Sequence, residues 1–258
     1  MTWRRIGAGC LTLVAGALWA VTGEAMAQQP GAAAGAEPRG TQKLAAAGTL
    51  QVPLDGLPLS LRRGVRLVLE QPTLAVQGPA EVFRGRPAVY RWFLDHPDQA
   101  VATWRQLGAR CTEITSQGGG RFRWTDGRGS EMHWDTIVAG PQVRVWYAEG
   151  NVRPGALLPA VPVHAVAVLR FLCGSDHTGH PLIRHQAEVL LQTDSKTAAL
   201  ITRLLGSSGP RLAERGVAQM EMFFSALVWY LDHHPECAEG LQLGGLLPES
   251  RPDERVTR

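Results

Sequence analysis

The spacing of apolar and polar residues is most regular over Pro210–Leu231, where it predicts one long helix. Apolar residues return there every three or four positions, which is the repeat of one helix face. The residues of this stripe are Ala213, Val217, Met220, Phe224, Leu227, Val228 and Leu231. Pro210 suits the first helical position, because a proline lacks the backbone N–H that would be unpaired there.

The second half of the predicted helix is apolar on most of its remaining surface as well. Its additional apolar residues are Met222, Phe223, Ala226, Trp229 and Tyr230. A helix that is apolar nearly all round is expected to be enclosed by other parts of the protein. The apolar run is about half as long as a bilayer span and contains Glu221, so we do not predict that it crosses a membrane.

Upstream of this helix, the apolar period changes to that of strands. Six extended segments are predicted, separated by turns rich in glycine: Cys111–Ser116, Arg121–Thr125, Glu131–Val138, Gln142–Glu149, Val163–Leu172 and Leu182–Gln192. Short connections between strands favour hairpins and therefore an antiparallel sheet. In the last strand Ile183, His185 and Ala187 alternate with Arg184 and Gln186, which predicts one buried and one solvent-exposed face.

The elements before the sheet are predicted to be a strand and two helices. The strand is predicted over Pro72–Gly78, and the helices over Pro87–Leu94 and Pro97–Leu107. Asp95 is positioned to cap the second of these helices. After the sheet, a further helix is predicted over Lys196–Leu205, directly before the long helix.

The first residues of the chain have the order of a secretory signal peptide. A basic pair, Arg4-Arg5, is followed by an apolar run and then by the small-x-small sequence Ala25-Met26-Ala27. We therefore predict a signal peptide over residues 1–27, cleavage after Ala27, and a periplasmic or secreted mature protein.

One folded domain is predicted between two segments of low complexity. Residues 28–60, which begin with a stretch rich in Ala, Gly and Pro, are predicted to form a flexible linker. Residues 61–234 form the predicted domain, which is long enough to bury a hydrophobic core. Residues 235–258 are predicted to be a disordered tail. No transmembrane span is predicted after cleavage of the signal peptide.

Composition and charge narrow the classes of function. The chain of 258 residues is 45% hydrophobic and 19% charged, with a formal net charge of +3. Its basic residues form no stripe, so nucleic-acid binding is not predicted. Cys111, Cys173 and Cys237 remain after cleavage, and they allow a disulfide with one free thiol, an intermolecular bond, or buried unpaired thiols. Their spacing does not decide between these states.

The order of elements resembles that of the helix-grip, or START-like, superfamily. Two segments carry the resemblance: HPDQAVATWRQLG at the second helix, and TDSKTAALITRLLGSSGPRLAERGVAQMEMFFSALVWYL at the end. The resemblance implies an α+β fold in which a curved antiparallel sheet wraps around a long C-terminal helix. It also implies a hydrophobic cavity between sheet and helix, but it assigns no catalytic residue.

Ten side chains are candidates to line such a cavity: Trp104, Phe122, Trp124, Trp134, Tyr147, His185, Val189, Met220, Phe224 and Leu227. The same aromatic residues would equally fill a packed core, because only the volume of the interior distinguishes the two. The resemblance further implies that Asn151–Pro162 borders the entrance to the cavity. Leu157 and Leu158 are the candidates for exposed residues of this entrance loop.

Few polar residues form patterns associated with chemistry. His185 lies on the apolar face of its strand, where it is either a core histidine with satisfied hydrogen bonds or a group that contacts a ligand. Asp176, His177 and His180 have the donor types of a metal site. No second cluster completes that set of ligands, so neither a metal nor another cofactor is predicted.

Three functions fit these features. The preferred hypothesis is an exported, non-enzymatic carrier or sensor that binds a small hydrophobic or lipid-like ligand between the sheet and the C-terminal helix. The second is a cyclase- or hydrolase-like enzyme that uses His185 or Tyr147 for acid–base chemistry. The third is a structural or assembly module with a filled core. The sequence identifies no protein partner.

Overall fold

An antiparallel sheet of eight strands forms the centre of this computed structural model, which describes residues 52–153, 159–194 and 209–237. The strands are β1 (Leu74–Gln77), β2 (Glu81–Arg84), β3 (Ile114–Gly118), β4 (Arg121–Thr125), β5 (Glu131–Ala139), β6 (Val143–Val152), β7 (Val161–Ser175) and β8 (Pro181–Gln192). The helices within the described ranges are α1 (Leu59–Glu70), α2 (Pro87–Asp95), α3 (Pro97–Gln106) and α4 (Gly209–His233), and a short 3-10 helix, Pro235–Cys237, follows α4.

The strands from β3 to β8 form a meander, because each pairs with the next one along the chain. Tight turns make this topology feasible. Gly118, Gly119 and Gly120 have φ values of 78°, 63° and 75°, a left-handed region that glycine adopts at little cost. The predicted α+β class, the antiparallel sheet and its six predicted strands are confirmed, as is the long helix.

One edge of the sheet consists of two short strands in place of a single one. Both β1 and β2 pair with β8, and the chain leaves the ladder between them at Gly78–Ala80. Gly78 keeps one contact with the sheet, since its N–H donates to the Ala187 carbonyl oxygen at 2.9 Å. The sequence predicted β1 but not β2, which is only four residues long.

The two faces of the sheet carry different helices. We call the face beneath α4 the inner face and the face beneath α1 the outer face. The helix α4 packs against β1, β2 and β8 and against α2 and α3. All seven residues of its predicted apolar stripe are buried.

The prediction that the long helix is enclosed all round is wrong. Met222 and Trp229, which are 50% and 40% exposed, lie on the side of α4 that faces away from the sheet. The helix lies over one side of an open sheet, so its surface toward the sheet, α2 and α3 is covered, whereas the side with Met222 and Trp229 is partly exposed.

The outer face is covered by α1, a helix that the sequence pattern did not predict. The buried residues of this second hydrophobic cluster are Val52, Val65, Val68, Val145, Tyr147, Val166 and Val168. The prediction of one solvent-exposed face is therefore wrong where α1 lies. Because Val52 is buried and α1 begins at Leu59, the packed structure also extends into residues 28–60, which were predicted to be linker.

Asp95 does not cap α3 as predicted. His96 occupies the position before the helix and makes no capping bond with its side chain. The Asp95 carboxylate instead accepts two bonds from Arg144 on β6, from Nε at 2.7 Å and from Nη2 at 2.9 Å. Bidentate pairs of this kind are among the strongest polar contacts in proteins. This pair fastens the end of α2 to the centre of the sheet.

Several predicted segments lie outside the described residues. They are the signal peptide over residues 1–27, most of the linker over residues 28–60, Leu157 and Leu158 of the entrance loop, the helix over Lys196–Leu205, and most of the tail over residues 235–258. Among the residues that the structure does describe, no helix combines the length and the hydropathy that a membrane crossing requires.

The docking of α1 on the outer face is tested by Gly64→Ala. A Cβ atom at Gly64 would overlap the Tyr147 hydroxyl group and lie 2.5 Å from Tyr147 Cζ. Alanine normally favours a helix over glycine by about 1 kcal/mol, but overpacking a core costs about 1–3 kcal/mol. We therefore expect Gly64→Ala to lower the free energy of unfolding in urea denaturation.

Gly174→Ala is the matched control, because a Cβ at Gly174 would meet nothing within 4 Å. It should change the free energy of unfolding by no more than about 0.5 kcal/mol. If Gly64→Ala stabilises the protein as an ordinary helix substitution would, α1 is not packed against Tyr147.

Candidate functional site

Eight of the ten predicted cavity residues meet in one hydrophobic cluster on the inner face. They are Trp104, Phe122, Trp124, Trp134, Val189, Met220, Phe224 and Leu227. Phe122 and Trp134 are cross-strand neighbours whose rings stack with centroids 5.7 Å apart. Trp104 comes from α3, and its indole Nε1–H donates to the Phe223 carbonyl oxygen at 3.1 Å. The inner face therefore brings together aromatic side chains of the sheet and the apolar stripe of α4.

Small side chains line the middle of this face. Ala148 on β6 lies directly opposite Ala165 on β7, and Ala167 lies opposite Trp146. The three alanines are buried, and we call them the alanine floor of the inner face. The large rings lie on β4 and β5, on one side of this floor, and on β6 at Trp146. This contrast in side-chain size is the main shape feature of the inner face.

Tyr147 does not belong to this cluster, and its prediction as a cavity residue is wrong. It lies on the outer face beneath α1, where its hydroxyl group donates to Glu149 Oε2 at 2.9 Å and lies 2.8 Å from His164 Nδ1. Its neighbour Trp146 occupies the inner face instead. Sequence reasoning missed Trp146 because both alternating sets of β6 contain apolar residues, so alternation did not show whether Tyr147 or Trp146 faces inward.

His185 lies at the β8 end of the inner face and is completely buried. Its Nε2 is 3.2 Å from Glu81 Oε2, and its Nδ1 is 2.6 Å from the Tyr90 hydroxyl group. Since a carboxylate only accepts, the Nε2–H group donates to Glu81, and Nδ1 is hydrogen-bonded to the Tyr90 hydroxyl group. Burial, with Glu221 as the next contribution, raises the pKa of Tyr90 well above its ordinary value, so this hydroxyl group keeps its proton.

The same network reaches α4 through Ser225, whose Oγ–H donates to Glu81 Oε2 at 3.2 Å. Every polar atom of the imidazole of His185 is thus engaged by protein. The geometry is that of a core histidine with satisfied hydrogen bonds, and it leaves no ring nitrogen for a ligand. Only Glu81, whose side chain is 34% exposed, connects the network with solvent.

Glu221 is a buried acidic residue whose structural contact sequence reasoning missed. Its side chain is buried, and its Oε1 accepts a hydrogen bond from the Ala187 N–H at the break between β1 and β2. Its Oε2 has no hydrogen-bond partner among the described residues. Burial raises the pKa of Glu221 to about 8, the Ala187 N–H opposes this shift, and the charge of Glu81 adds to it. The carboxyl group is therefore largely protonated at neutral pH.

The turn between β7 and β8 contains the three residues with metal-ligand types. Asp176 Oδ1 accepts from the N–H groups of Thr178 and His180 at 2.8 and 2.9 Å, and Oδ2 accepts from Arg84 at 2.9 Å. These bonds build the turn itself. They hold the pKa of Asp176 well below its ordinary value, first through the Thr178 hydroxyl group. Within the described ranges, no group of three or more His, Cys, Asp or Glu side chains converges as metal ligands would.

The three cysteines of the described residues form no disulfide with one another. Cys173 is exposed, whereas Cys111 and Cys237 are partly buried. Burial raises the pKa of the Cys173 thiol, although Arg91 opposes this shift, so the thiolate is not favoured.

The architecture defines the fold of this chain. An antiparallel sheet with a long C-terminal helix across one face is a helix-grip arrangement, the α+β fold that the resemblance implied.

Solved structures to which the chain is similar include a conserved protein from Geobacillus kaustophilus, with 11% identity and a TM-score of 0.42, covering 61% of this chain and 97% of that one. A second is the Zhui aromatase/cyclase from Streptomyces sp. R1128, with 14% identity and a TM-score of 0.39, covering 65% of this chain and 98% of that one. A third is a truncated norcoclaurine synthase from Thalictrum flavum, with 14% identity and a TM-score of 0.32, covering 58% of this chain and 92% of that one.

No protein-family model matches the chain, and no curated protein matches its sequence. At the identities of the solved structures, the likeness concerns the fold alone. No residue role passes from those proteins to this one.

Glu221→Gln tests the protonation of the buried carboxyl group. The folded-state pKa of about 8 lies above the ordinary value of 4.5, so folding favours the neutral form. Its stabilising contribution is complete below about pH 4.5 and is lost as the pH rises through about 8. Relative to the glutamine variant, the wild type should lose about 1 kcal/mol of unfolding free energy per pH unit between about pH 5 and 8.

The measurement is urea denaturation of both proteins at several pH values. Glu214→Gln, which removes an exposed carboxylate from the same helix, is the control and should keep the wild-type pH profile. Parallel profiles for the wild type and Glu221→Gln would show that the carboxyl group is ionised when buried.

His185→Phe tests whether this histidine is structural. The change strands the Tyr90 hydroxyl group and the Glu81 carboxylate, which should cost about 1–3 kcal/mol in thermal or chemical unfolding. Ligand binding should not change, because no ring nitrogen faces the alanine floor. The exposed His177→Phe is the control, with an expected change within about 0.5 kcal/mol. Altered ligand affinity without loss of stability would contradict the structural role.

Proposed function

We propose that this chain is an exported, non-enzymatic binding protein for a small hydrophobic or lipid-like molecule held between the inner face and α4. The observation that carries the proposal is the inner face itself, a floor of small side chains with four aromatic rings along one side. The rings belong to Phe122, Trp124, Trp134 and Trp146. Apolar surface on both the sheet and the helix is what a hydrophobic ligand requires.

The position of α4 supports the same proposal. The helix packs against β1, β2 and β8, at one edge of the sheet. The alanine floor lies on β6 and β7, toward the centre of the sheet. A ligand would lie over this floor, covered by the apolar stripe of α4 on one side and by the aromatic rings on the other.

The polar network at His185 favours a binding protein over an enzyme of the cyclase or hydrolase kind. Acid–base catalysis needs a titratable group within hydrogen-bonding reach of the reacting atom. Both nitrogens of His185 are engaged by Tyr90 and Glu81, and Tyr147 lies on the other face of the sheet. Neither of the two residues considered for such chemistry is directed at the floor.

Extraction of the purified protein with organic solvent tests the proposal. Mass spectrometry of the extract should identify a hydrophobic molecule present in near-stoichiometric amount. The control is an extract of the same protein after unfolding and refolding in the absence of lipid, which should be empty. Empty extracts from both preparations would instead support the structural module with a filled core.

Phe224→Ala distinguishes a ligand site from a filled core by its energetic cost. Truncating a fully packed aromatic residue typically costs about 3–5 kcal/mol, because transfer energy is lost and a void remains. If Phe224 borders a ligand site, the ligand-free protein should lose clearly less than this range in urea denaturation. The variant should also accept a larger ligand.

Met222→Ala is the control, because this residue of the same helix is 50% exposed. It should cost no more than about 0.5 kcal/mol. The full penalty at Phe224, together with no binding of any hydrophobic probe, would contradict the proposed function.

Export is proposed from the first 27 residues alone. The mature protein should begin at Gln28, as determined by N-terminal sequencing of the native protein. A precursor whose cleavage site at Ala27 is blocked should remain associated with the membrane. Recovery of a soluble cytoplasmic form that retains Met1 would contradict this part of the proposal.

A further inference from the structure

Three polar groups on the inner face have no hydrogen-bond partner among the described residues. They are the indole Nε1–H groups of Trp124 and Trp146 and the hydroxyl group of Thr136. The two tryptophan residues are only 5% and 7% exposed. Trp104 on the same face shows the usual arrangement, since its Nε1–H donates to a backbone carbonyl oxygen.

Unpaired donors of this kind are rare in the interior of proteins. Most buried polar atoms are paired, because a buried donor without an acceptor loses its bond to water and gains nothing in exchange. An indole N–H only donates, so its missing partner must be an acceptor. Two such donors on the face that is proposed to hold a ligand therefore specify oxygen atoms on that ligand.

Two of the three groups belong to residues that are paired directly on neighbouring strands. Trp146 on β6 lies directly opposite Thr136 on β5 in the register of the sheet. Trp124 lies on β4, paired with Met132 on the other side of β5. Trp146 and Thr136 thus form one end of the site. Trp124 is two strands away from Trp146 and four residue positions further along the sheet, which places their Cα atoms about 16 Å apart.

The charges near this end exclude an acidic ligand group. Arg144 lies on the same face as Trp146, two residues before it on β6. Both carboxylate oxygens of Asp95 accept bonds from its guanidinium group, at 2.7 and 2.9 Å, so its charge is neutralised by the protein. A ligand carboxylate at Trp146 would be buried without a cation of its own, which is costly. A neutral oxygen has no such penalty.

We propose that Trp146 and Thr136 form a polar subsite that binds a neutral hydrogen-bond-accepting oxygen, such as that of a ketone, quinone or ester. Trp124 binds a second oxygen of the same ligand. This inference rests on the proposed function, because it assigns the chemical class of the molecule held over the alanine floor. The ligand is an apolar molecule that carries carbonyl-type oxygen atoms.

Matched probes test this subsite. Fluorene, 9-fluorenone and fluorene-9-carboxylate share one ring frame and differ at a single position. Affinities are measured by equilibrium dialysis against the full chain after removal of bound lipid. The wild type should bind the ketone about threefold to tenfold more tightly than the hydrocarbon, the range of one net hydrogen bond. The carboxylate should bind more weakly than the ketone.

Substitutions test which side chains cause the preference for the ketone over the hydrocarbon. Trp146→Phe keeps an aromatic ring and removes the N–H group, so the preference for the ketone should fall to near unity while binding of fluorene persists. Thr136→Val, which keeps the shape of the side chain, should reduce the preference as well and serves as a second variant if Trp146→Phe does not fold. Trp229→Phe, on the exposed side of α4, is the matched control and should keep the wild-type preference.

Distinct results overturn the subsite and the proposed function. Equal binding of fluorene and fluorenone, tighter binding of the carboxylate, or an unchanged preference in both Trp146→Phe and Thr136→Val would overturn the subsite while leaving a hydrophobic ligand site intact. Binding of none of the three probes, nor of 2-tridecanone as a linear ketone, would overturn both proposals.

Discussion

The hydrogen bond between the Glu221 carboxyl group and the Ala187 N–H holds α4 to a break in the edge of the sheet, and the inner face is arranged around it. Between β1 and β2 the edge is interrupted, and the carboxyl oxygen of the helix takes the place of a strand carbonyl. Gly78 makes room for it, because a Cβ there would overlap Glu221 Oε2 and lie 2.8 Å from Val217 Cγ1. The neutral state of the carboxyl group avoids the large cost of an unpaired buried charge. An apolar stripe alone would allow a helix to shift along the sheet, whereas a directional hydrogen bond opposes such a shift.

This anchoring divides the interior into two parts with different polar chemistry. Near β8 and α2, Tyr90, His185 and Glu81 form a network in which each imidazole nitrogen has a protein partner. Toward β4, β5 and β6, the indole groups of Trp124 and Trp146 have donors without protein acceptors among the described residues. A satisfied network contributes to a single well-defined core. The indole N–H groups beside the alanine floor instead favour a bound molecule that supplies the missing acceptor atoms.

The sequence predicted the elements well and the faces less well, for a physical reason. Alternation within a strand separates its side chains into two sets, but which set faces inward depends on what covers each face. In β8 one of the two sets is polar, so the other set, with His185 and Val189, was correctly predicted to face inward. In β6 both sets are apolar, and because α1 was not predicted, Tyr147 was assigned to the inner face in place of Trp146. In the sequence, Glu221 only interrupts an apolar run. Its hydrogen bond to Ala187 depends on the break between β1 and β2, which the sequence pattern did not predict.

The central claim is that the inner face near Trp146 binds a molecule that is not part of the chain. A high-resolution crystal structure of the protein purified from its natural source, without detergent, tests this claim most directly. The account predicts electron density for an apolar molecule over Ala148, Ala165 and Ala167, with an oxygen atom within hydrogen-bonding distance of Trp146 Nε1. An interior filled entirely by side chains, with the indole groups of Trp124 and Trp146 bonded to protein acceptors, would contradict it.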